Sequence, residues 1–260
     1  MVKLVYCLRR LPNLSREDFQ RYWRENHGPL VRKNAATMNC RRYVQTHTQY
    51  DEVIEPLRVP RGHPESYDGV AELWWDSIAE LAPENPSPER LQTNTEHFED
   101  EKKFIDHSQS PVWLAEEHVF IDDVPEAPVS NQESSMVKLV YCLRRLPHLS
   151  REEFQRYWRE NHGPLVQKQK DNLKIRRYVQ VHTSYDDRNE AMRSRANRPE
   201  PYDGVAELWW DGVEDFLPDN PTPEHQRSQE ALAEDEQLFI DWSRSPVWLG
   251  KERVFVDEIS

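Results

Sequence analysis

Glycine, cysteine and long apolar runs are all scarce in this sequence of 260 residues. Its seven glycines stand far apart, so neither the GxGxxG fingerprint nor a P-loop is present. Three cysteines, Cys7, Cys40 and Cys142, are too few for a disulfide framework or a zinc cluster. No apolar run approaches the ~20 residues of a membrane span, and the N-terminus lacks the layout of a signal peptide. We therefore expect no membrane association and a cytoplasmic location.

Basic residues are also fewer than acidic residues. The chain has 34 Lys and Arg against 47 Asp and Glu, a net charge of −13, and a pI near 5.3. Phosphate backbones are bound by basic surfaces, so we expect no nucleic-acid partner. Aromatic residues are present in number (9 Trp, 10 Tyr and 8 Phe), although only 37% of the sequence is hydrophobic. Disordered chains lack aromatics, and the composition predicts a globular protein with a small, ring-rich core.

The chain contains two copies of one sequence. Residues 1–31 recur almost unchanged as residues 136–166, and the offset of 135 continues to the end of the chain without a gap. About 74 of the 125 paired positions are identical. This period is far longer than the ~20–50 residues of solenoid repeats. We predict two domains, 1–123 and 136–260, joined by a linker over 124–135 that is rich in Pro, Ser, Glu and Gln.

Each copy alternates strand-like and helix-like segments. Ser15 and Ser87 mark helix starts, and Gly28-Pro29 is expected to bend or end the first helix. The predicted strands of the first copy are Lys3–Arg9, Arg41–Tyr50, Asp68–Trp75 and Val112–Phe120. The order β-α-β-β-α-β predicts an α+β fold of two ferredoxin-like domains. Because helices cover only one face of such a sheet, we expect the two copies to pack sheet to sheet as an intramolecular pseudo-dimer. This pseudo-dimer could assemble further into a homo-oligomer.

Three segments carry a family resemblance. LSREDFQRYWRENHGPLV, RRYVQTH and YDGVAELWW resemble the EthD family of the dimeric α/β-barrel superfamily, in both copies and outside the linker. Members of that family are usually single domains that dimerise, so the resemblance implies a dimer fused into one chain. Enzymes of the superfamily include cyclases, isomerases and dehydratase-like members that act on aromatic and polyketide-derived compounds.

Candidate site residues follow from the alternation of the strands. If the small residues Gly69 and Ala71 face the helices, then Asp68, Glu72 and Trp74 face the barrel interior. The polar side of the second strand and Tyr6 are placed there as well, and the resemblance implies that His27 borders the pocket. Structural roles remain open for each candidate. The catalytic candidates are His27, His47, Asp68, Glu72, His162, His182, Asp203 and Glu207. The substrate-binding candidates are Tyr6, Tyr43, Trp74, Tyr141, Tyr178 and Trp209.

These residue types favour proton-transfer chemistry. A histidine beside a carboxylate in a partly apolar cavity takes or gives a proton near neutral pH. We therefore predict a lyase or isomerase, such as a dehydratase or cyclase, that acts on a small apolar or aromatic carbonyl or hydroxyl compound without cofactor or metal. Two alternatives remain: a cofactor-independent oxygenase that forms quinones, and a non-catalytic protein that binds a hydrophobic ligand.

The duplication also bears on the number of sites. The histidine and carboxylate candidates occur twice, which predicts two sites, whereas His63 and His97 have no histidine counterpart and are weak candidates. Residues 52–62 and 187–197 differ strongly between the copies. We interpret each as a long loop that lies over the barrel mouth.

Overall fold

A computed structural model describes residues 1–124 and 132–259 of the chain. Most of the predicted linker, 124–135, lies outside these described residues. No helix in the described ranges is both long enough and apolar enough to cross a lipid bilayer.

Eight strands and ten α-helices make up the described part of the chain. All four strands predicted for the first copy are present, and their counterparts recur in the second. The strands are β1 (Val2–Leu8), β2 (Arg42–Gln49), β3 (Gly69–Trp75), β4 (Val112–Asp122), β5 (Val137–Leu143), β6 (Arg177–Thr183), β7 (Gly204–Trp210) and β8 (Val247–Asp257). The helices are α1 (Arg16–Tyr22), α2 (Gly28–Asn34), α3 (Asp51–Arg58), α4 (Ile78–Leu81), α5 (Pro88–Glu101), α6 (Arg151–Tyr157), α7 (Gly163–Gln169), α8 (Asp186–Arg195), α9 (Val213–Phe216) and α10 (Pro223–Glu236).

The eight strands form one closed barrel. The first copy contributes the order β4-β1-β3-β2 and the second contributes β8-β5-β7-β6. Antiparallel pairs β2–β8 and β4–β6 join the two halves at both edges. The copies therefore meet edge to edge in a continuous sheet, and the inner faces of the two halves also pack against each other across the barrel. Closure leaves no edge of the eight described strands unpaired.

Side chains fill the barrel interior. An eight-stranded barrel is narrow enough to be filled by its own side chains. Cys7 and Cys142 lie in this interior with their Sγ atoms 3.5 Å apart, among buried valines and tryptophans. The predicted hollow between the two sheets is therefore wrong. The positions available to a ligand lie on the outside of the sheet, beneath the helices.

The first helix of each copy passes through Gly-Pro without ending there. Helix α1 begins at the cap Ser15, widens into a π-helical turn over Trp23–His27, and continues as α2. Pro29 has no N–H to donate, and the wider turn lets the Gly28 N–H bond to the Trp23 carbonyl instead. A Cβ at Gly28 would lie 2.4 Å from the Phe255 ring, so only glycine fits there. Of the two predicted outcomes, that Gly28-Pro29 bends or ends the helix, ending is wrong, because the helix continues through a π-helical turn that includes His27.

The divergent segments between the second and third strands of each half are helical. Tyr50 and Tyr185 adopt left-handed backbone conformations, with φ of 61° and 64°, immediately before α3 and α8. Ile54 of α3 packs in the hydrophobic core of the second half, and Met192 of α8 packs against that of the first. Each segment thus covers the outer face of the other copy. Neither segment is the loop over the barrel mouth that the sequence predicts.

Candidate functional site

Two cavities lie between the outer face of the sheet and the helices, one in each half. The first has a volume of about 560 Å³ and the second about 170 Å³. The walls come from the outer-facing residues of the strands, from α5 or α10, and from the crossing segment of the other half. Residues that line the first cavity include Tyr6, His27, Tyr43, Ala71, Glu101 and Arg198.

A histidine–aspartate pair opens onto each cavity. His27 Nδ1 lies 2.9 Å from Asp100 Oδ2, and Asp100 also accepts hydrogen bonds from the Tyr22 hydroxyl (2.7 Å) and Lys103 Nζ (2.9 Å). Burial opposes ionisation of Asp100, but these hydrogen bonds outweigh it and lower the pKa of the carboxyl. Asp100 therefore holds the proton on Nδ1, and Nε2 remains available to a molecule in the cavity.

The second half repeats this pair. His162 Nδ1 lies 2.7 Å from Asp235 Oδ2, and the Tyr157 hydroxyl donates to the other carboxylate oxygen at 2.8 Å. The hydrogen bond from His162 is the main cause of the lowered pKa of Asp235. Both halves thus present the same imidazole nitrogen to a cavity.

The Tyr6 hydroxyl also faces the first cavity, where it lies between Arg198 and the Glu101 carboxylate. It accepts a hydrogen bond from the Arg198 guanidinium, which the second half supplies. Burial raises the pKa of Tyr6 well above its usual 10, so the hydroxyl keeps its proton at neutral pH. The equivalent Tyr141 hydroxyl is buried and has no hydrogen-bond partner among the described residues. The Tyr141 O–H is therefore available for a ligand oxygen, whereas the Tyr6 O–H is directed to Glu101.

A hydrogen-bond chain of fixed direction ends at Tyr43. The Gln45 side-chain amide donates to the Trp23 carbonyl (3.1 Å) and to the Tyr43 hydroxyl (2.8 Å), and its oxygen lies 2.9 Å from His47 Nε2. Trp23 Nε1 also donates to the Tyr43 hydroxyl, at 3.0 Å. Two donors occupy the Tyr43 oxygen, so its own hydrogen is directed elsewhere, and Tyr43 lines the cavity. The second half repeats the chain at Tyr178, Gln180, Trp158 and His182.

His47 and His182 pack between helix and sheet, and they line neither cavity. The His47 ring stacks on Trp23 with centroids 4.6 Å apart and an interplanar angle of 10°, and His182 stacks on Trp158 in the same way. Burial lowers the pKa of each imidazole to about 3. The prediction that His47 faces the carboxylates across the barrel is wrong, because the outer face of β2 carries Tyr43, Gln45 and His47 together.

We expect these two histidines to make the protein acid-sensitive. Their folded pKa lies below the unfolded value of 6.5, so the unfolded state binds more protons as the pH falls from 6.5 towards 3. The free energy of unfolding should then drop by about 1.4 kcal/mol per pH unit for each histidine. Urea unfolding of the His47→Gln/His182→Gln variant between pH 6.5 and 4 should show a shallower pH dependence. An unchanged slope would contradict this assignment.

Asp68 and Asp203 line neither of the two cavities beneath the helices. The Asp68 carboxylate accepts a hydrogen bond from the Arg10 backbone N–H at 2.9 Å and from the Arg10 guanidinium, and it lies 3.2 Å from Arg16 Nε. Asp203 has the same partners in Arg145 and Arg151. Each aspartate thus fixes the chain at the start of its strand and does not meet the histidine of its half.

Glu72 and Glu207 do face the barrel interior, as predicted, but there they meet lysines. We call Lys3, Glu72, Lys138 and Glu207 the interior ion cluster. Lys3 Nζ lies 2.6 Å from Glu72 and 2.9 Å from Glu207, and Lys138 Nζ lies 2.6 Å from Glu72 and 3.5 Å from Glu207. Burial and repulsion from Glu72 raise the pKa of Glu207 to about 8. The cluster is part of the barrel packing.

The two tryptophans predicted to bind substrate also belong to the barrel interior. Trp74 Nε1 donates to Glu117 at 3.0 Å, and Trp209 Nε1 donates to Glu252 at 2.9 Å. Lys3 and Lys138 lie over their rings, 4.7 and 4.6 Å from the centroids. Neither indole lines a cavity. Of the candidate residues, the structure therefore brings together His27, Tyr6 and Tyr43 in one cavity, and His162, Tyr141 and Tyr178 in the other.

Sequence reasoning missed the carboxylate partners of these histidines. Asp100 and Asp235 occupy equivalent positions in the repeated tripeptide Glu-Asp-Glu, directly after residues 90–98 and 225–233, which differ between the copies, and that repetition was a usable signal. His63 and Arg198 gave no such signal, because they are equivalent positions with different residues. Each is contributed to the cavity of the other copy, which only the tertiary structure reveals.

The equivalent carboxyl groups Glu101 and Glu236 have pKa values that are shifted in opposite directions. Glu101 Oε2 lies 3.2 Å from His107 and 3.6 Å from Arg198, and although burial opposes ionisation these partners lower its pKa. Burial instead raises the pKa of Glu236, its equivalent. The positions that correspond to His107 and Arg198 in the second cavity are Trp242 and His63. The charge of the first cavity is therefore not duplicated in the second.

The sequence profile of the EthD domain matches the chain twice, at residues 11–108 and 146–243. A dehydratase, aurZ of Gibberella zeae, is 26% identical over 136 residues, which cover 51% of this chain and 88% of that protein. That length is close to one copy of the repeat. Within the described ranges, no group of three or more His, Cys, Asp or Glu residues is placed to hold a metal ion.

Solved structures share the fold across the whole chain. A protein from Fusobacterium nucleatum assigned as a monooxygenase superposes with a TM-score of 0.53 at 7% identity, over 98% of this chain and 92% of its own. A dye-decolorizing peroxidase from Bacteroides thetaiotaomicron gives a TM-score of 0.50 at 8% identity, over 95% and 92%. At these identities the likeness concerns the fold alone.

Proposed function

The chain belongs to the EthD domain family, and from this premise we propose that it is a lyase that dehydrates an aromatic β-hydroxy carbonyl compound. The observation that carries the proposal is the His–Asp pair, present in both halves, at the wall of a largely apolar cavity. The dehydratase relative supports the choice of lyase over isomerase. The side chains of the cavity supply the base, the acid and the donor groups that this reaction needs.

His27 acts as both base and acid in this mechanism. Nε2 removes the proton next to the carbonyl carbon, and the resulting imidazolium is stabilised by Asp100. The C–O bond to the β-hydroxyl then breaks, a C=C bond forms, and the departing oxygen takes the proton from Nε2 and leaves as water. Nothing is oxidised or reduced. His162 and Asp235 perform the same steps in the second cavity.

Tyrosine hydroxyls stabilise the charge that develops on the carbonyl oxygen. With substrate bound, Tyr6 donates its hydrogen to this oxygen in place of Glu101, and Arg198 strengthens the donor by bonding to the phenol oxygen. Tyr43 supplies a second donor, because Trp23 and Gln45 occupy the oxygen of its hydroxyl. Fixed donors of this kind are effective because they need no reorganisation during the reaction.

The test uses 4-hydroxy-4-(2-naphthyl)butan-2-one, whose loss of water gives a conjugated enone with strong near-ultraviolet absorbance. We expect turnover by the parent protein, and a kcat lowered by about 100-fold in Tyr6→Phe/Tyr141→Phe with KM little changed. Tyr185→Phe is the matched control, because this hydroxyl bonds to Glu116 outside both cavities. Its kcat should equal that of the parent.

The same assay separates the alternatives. Oxygen uptake that depends on the probe would support the quinone-forming oxygenase instead. If the probe binds but forms no enone, and its α-protons do not exchange in D₂O, the result would support a ligand-binding role. Equal kcat in Tyr6→Phe/Tyr141→Phe and the parent would contradict the role of the tyrosine donors.

A further inference from the structure

The mouth of the first cavity is basic, although the protein as a whole carries a net charge of −13. Four arginines and one carboxylate, Glu101, are the charged side chains that line it. Arg188 and Arg195 are exposed on α8 and have no ion-pair partner among the described residues. Arg198 lies deeper, with its side chain 8% exposed. Arg90 is already engaged with three backbone carbonyls of its own half.

The second cavity lacks this charge. The positions equivalent to Arg188, Arg195 and Arg198 hold Val53, Pro60 and His63. Its charged lining is limited to Arg61 and Glu236, and burial raises the pKa of the Glu236 carboxyl. The crossing segments α3 and α8 therefore give two otherwise similar cavities different electrostatic environments.

We propose that the first cavity binds an aromatic compound that carries a carboxylate, and that Arg188 and Arg195 contact that carboxylate at the mouth. The aromatic body lies on the apolar wall near Ala71, and a guanidinium pairs well with a carboxylate through two parallel hydrogen bonds. The second cavity takes a neutral compound of smaller size. This inference deepens the proposed function, because it names the substrate class of the same site.

The test compares two probes that differ by one charge, 2-naphthoate and methyl 2-naphthoate, by titration calorimetry on the full chain at low salt. In the parent, the carboxylate should bind at least about tenfold more tightly than the ester. Arg188→Gln/Arg195→Gln should remove most of that preference and leave the ester affinity within twofold. Arg193→Gln/Arg227→Gln removes the same charge from surface sites that pair with glutamates, and it should retain the preference.

Variants that fill one cavity at a time identify the cavity in which the carboxylate probe binds. Ala71→Phe fills the first cavity and should abolish the carboxylate preference, whereas Ala206→Phe fills the second and should leave it intact. Equal binding of acid and ester in the parent would overturn the inference, as would a preference that survives Arg188→Gln/Arg195→Gln or depends on Ala206. These outcomes are independent of dehydration, because the naphthyl hydroxyketone is uncharged and its turnover tests the proposed function by itself.

Discussion

Replacing His27 and His162 together by asparagine should lower the kcat for the naphthyl hydroxyketone by about 1000-fold. In the proposed mechanism each imidazole both takes the α-proton and returns it to the leaving hydroxyl. General acid–base catalysis by one positioned group contributes about 10²–10⁴ in rate, and asparagine supplies neither step. Asparagine can still donate a hydrogen bond to the aspartate, so the fold around Asp100 and Asp235 should be kept.

A matched control exists because the chain holds a second duplicated pair of buried histidines. His47→Gln/His182→Gln changes residues that stack on tryptophans and line neither cavity. Glutamine retains an N–H that can donate to the Gln45 and Gln180 oxygens, which keeps Tyr43 and Tyr178 oriented, so this variant should keep its kcat within about threefold at pH 7.5, where both imidazoles are already neutral. A large loss there, or full activity in His27→Asn/His162→Asn, would remove the catalytic assignment.

The second large effect concerns stability and the interior ion cluster. Lys3→Met should lower the free energy of unfolding by about 3–5 kcal/mol, because it leaves buried carboxylates without their counter-charge. Lys3 Nζ contacts Glu72, Glu117 and Glu207 at 2.6 to 3.0 Å, and its side chain is 1% exposed. Urea unfolding at pH 7.5, followed by tryptophan fluorescence, measures the change.

Replacing the whole cluster should cost much less than removing one lysine. The variant Lys3→Met/Glu72→Leu/Lys138→Met/Glu207→Leu leaves no unpaired charge among these four positions, and exchanges of this kind are often neutral or stabilising. Glu117 and Glu252 retain 26% and 18% exposure and can reach solvent. If the quadruple variant is less stable than Lys3→Met, the four side chains stabilise the fold by more than the compensation of one another's charges.

The quadruple variant also tests the earlier idea that Glu72 and Glu207 are catalytic. Both carboxylates lie inside the barrel, and the histidines of the cavities lie on the opposite face of the sheet. Its kcat for the naphthyl hydroxyketone should therefore stay within about threefold of the parent below its unfolding temperature. A kcat lowered by two orders of magnitude would indicate that these glutamates take part in the reaction.

Alternation along a strand identifies which residues share a face. It does not identify which face packs in the barrel interior and which packs against the helices. The sequence correctly grouped Glu72 with Trp74, and Tyr43 with His47. It then placed both groups in one hollow, because the drier side of the second strand was assigned to the helices and its polar side to the interior. In a closed barrel each face is covered, one by the interior and one by helices, so hydrophobicity does not distinguish them.

Local sequence determined the strands, the caps such as the Ser150–Glu153 capping box, and the duplication. These depend on neighbouring residues and on a repeat that is visible in one dimension. Tertiary structure alone decided that the interior is solid, that Asp100 meets His27, and that Arg198 and His63 serve the other half. The reason is physical: contacts between residues 73 to 192 positions apart depend on how the barrel closes, and no local propensity encodes that closure.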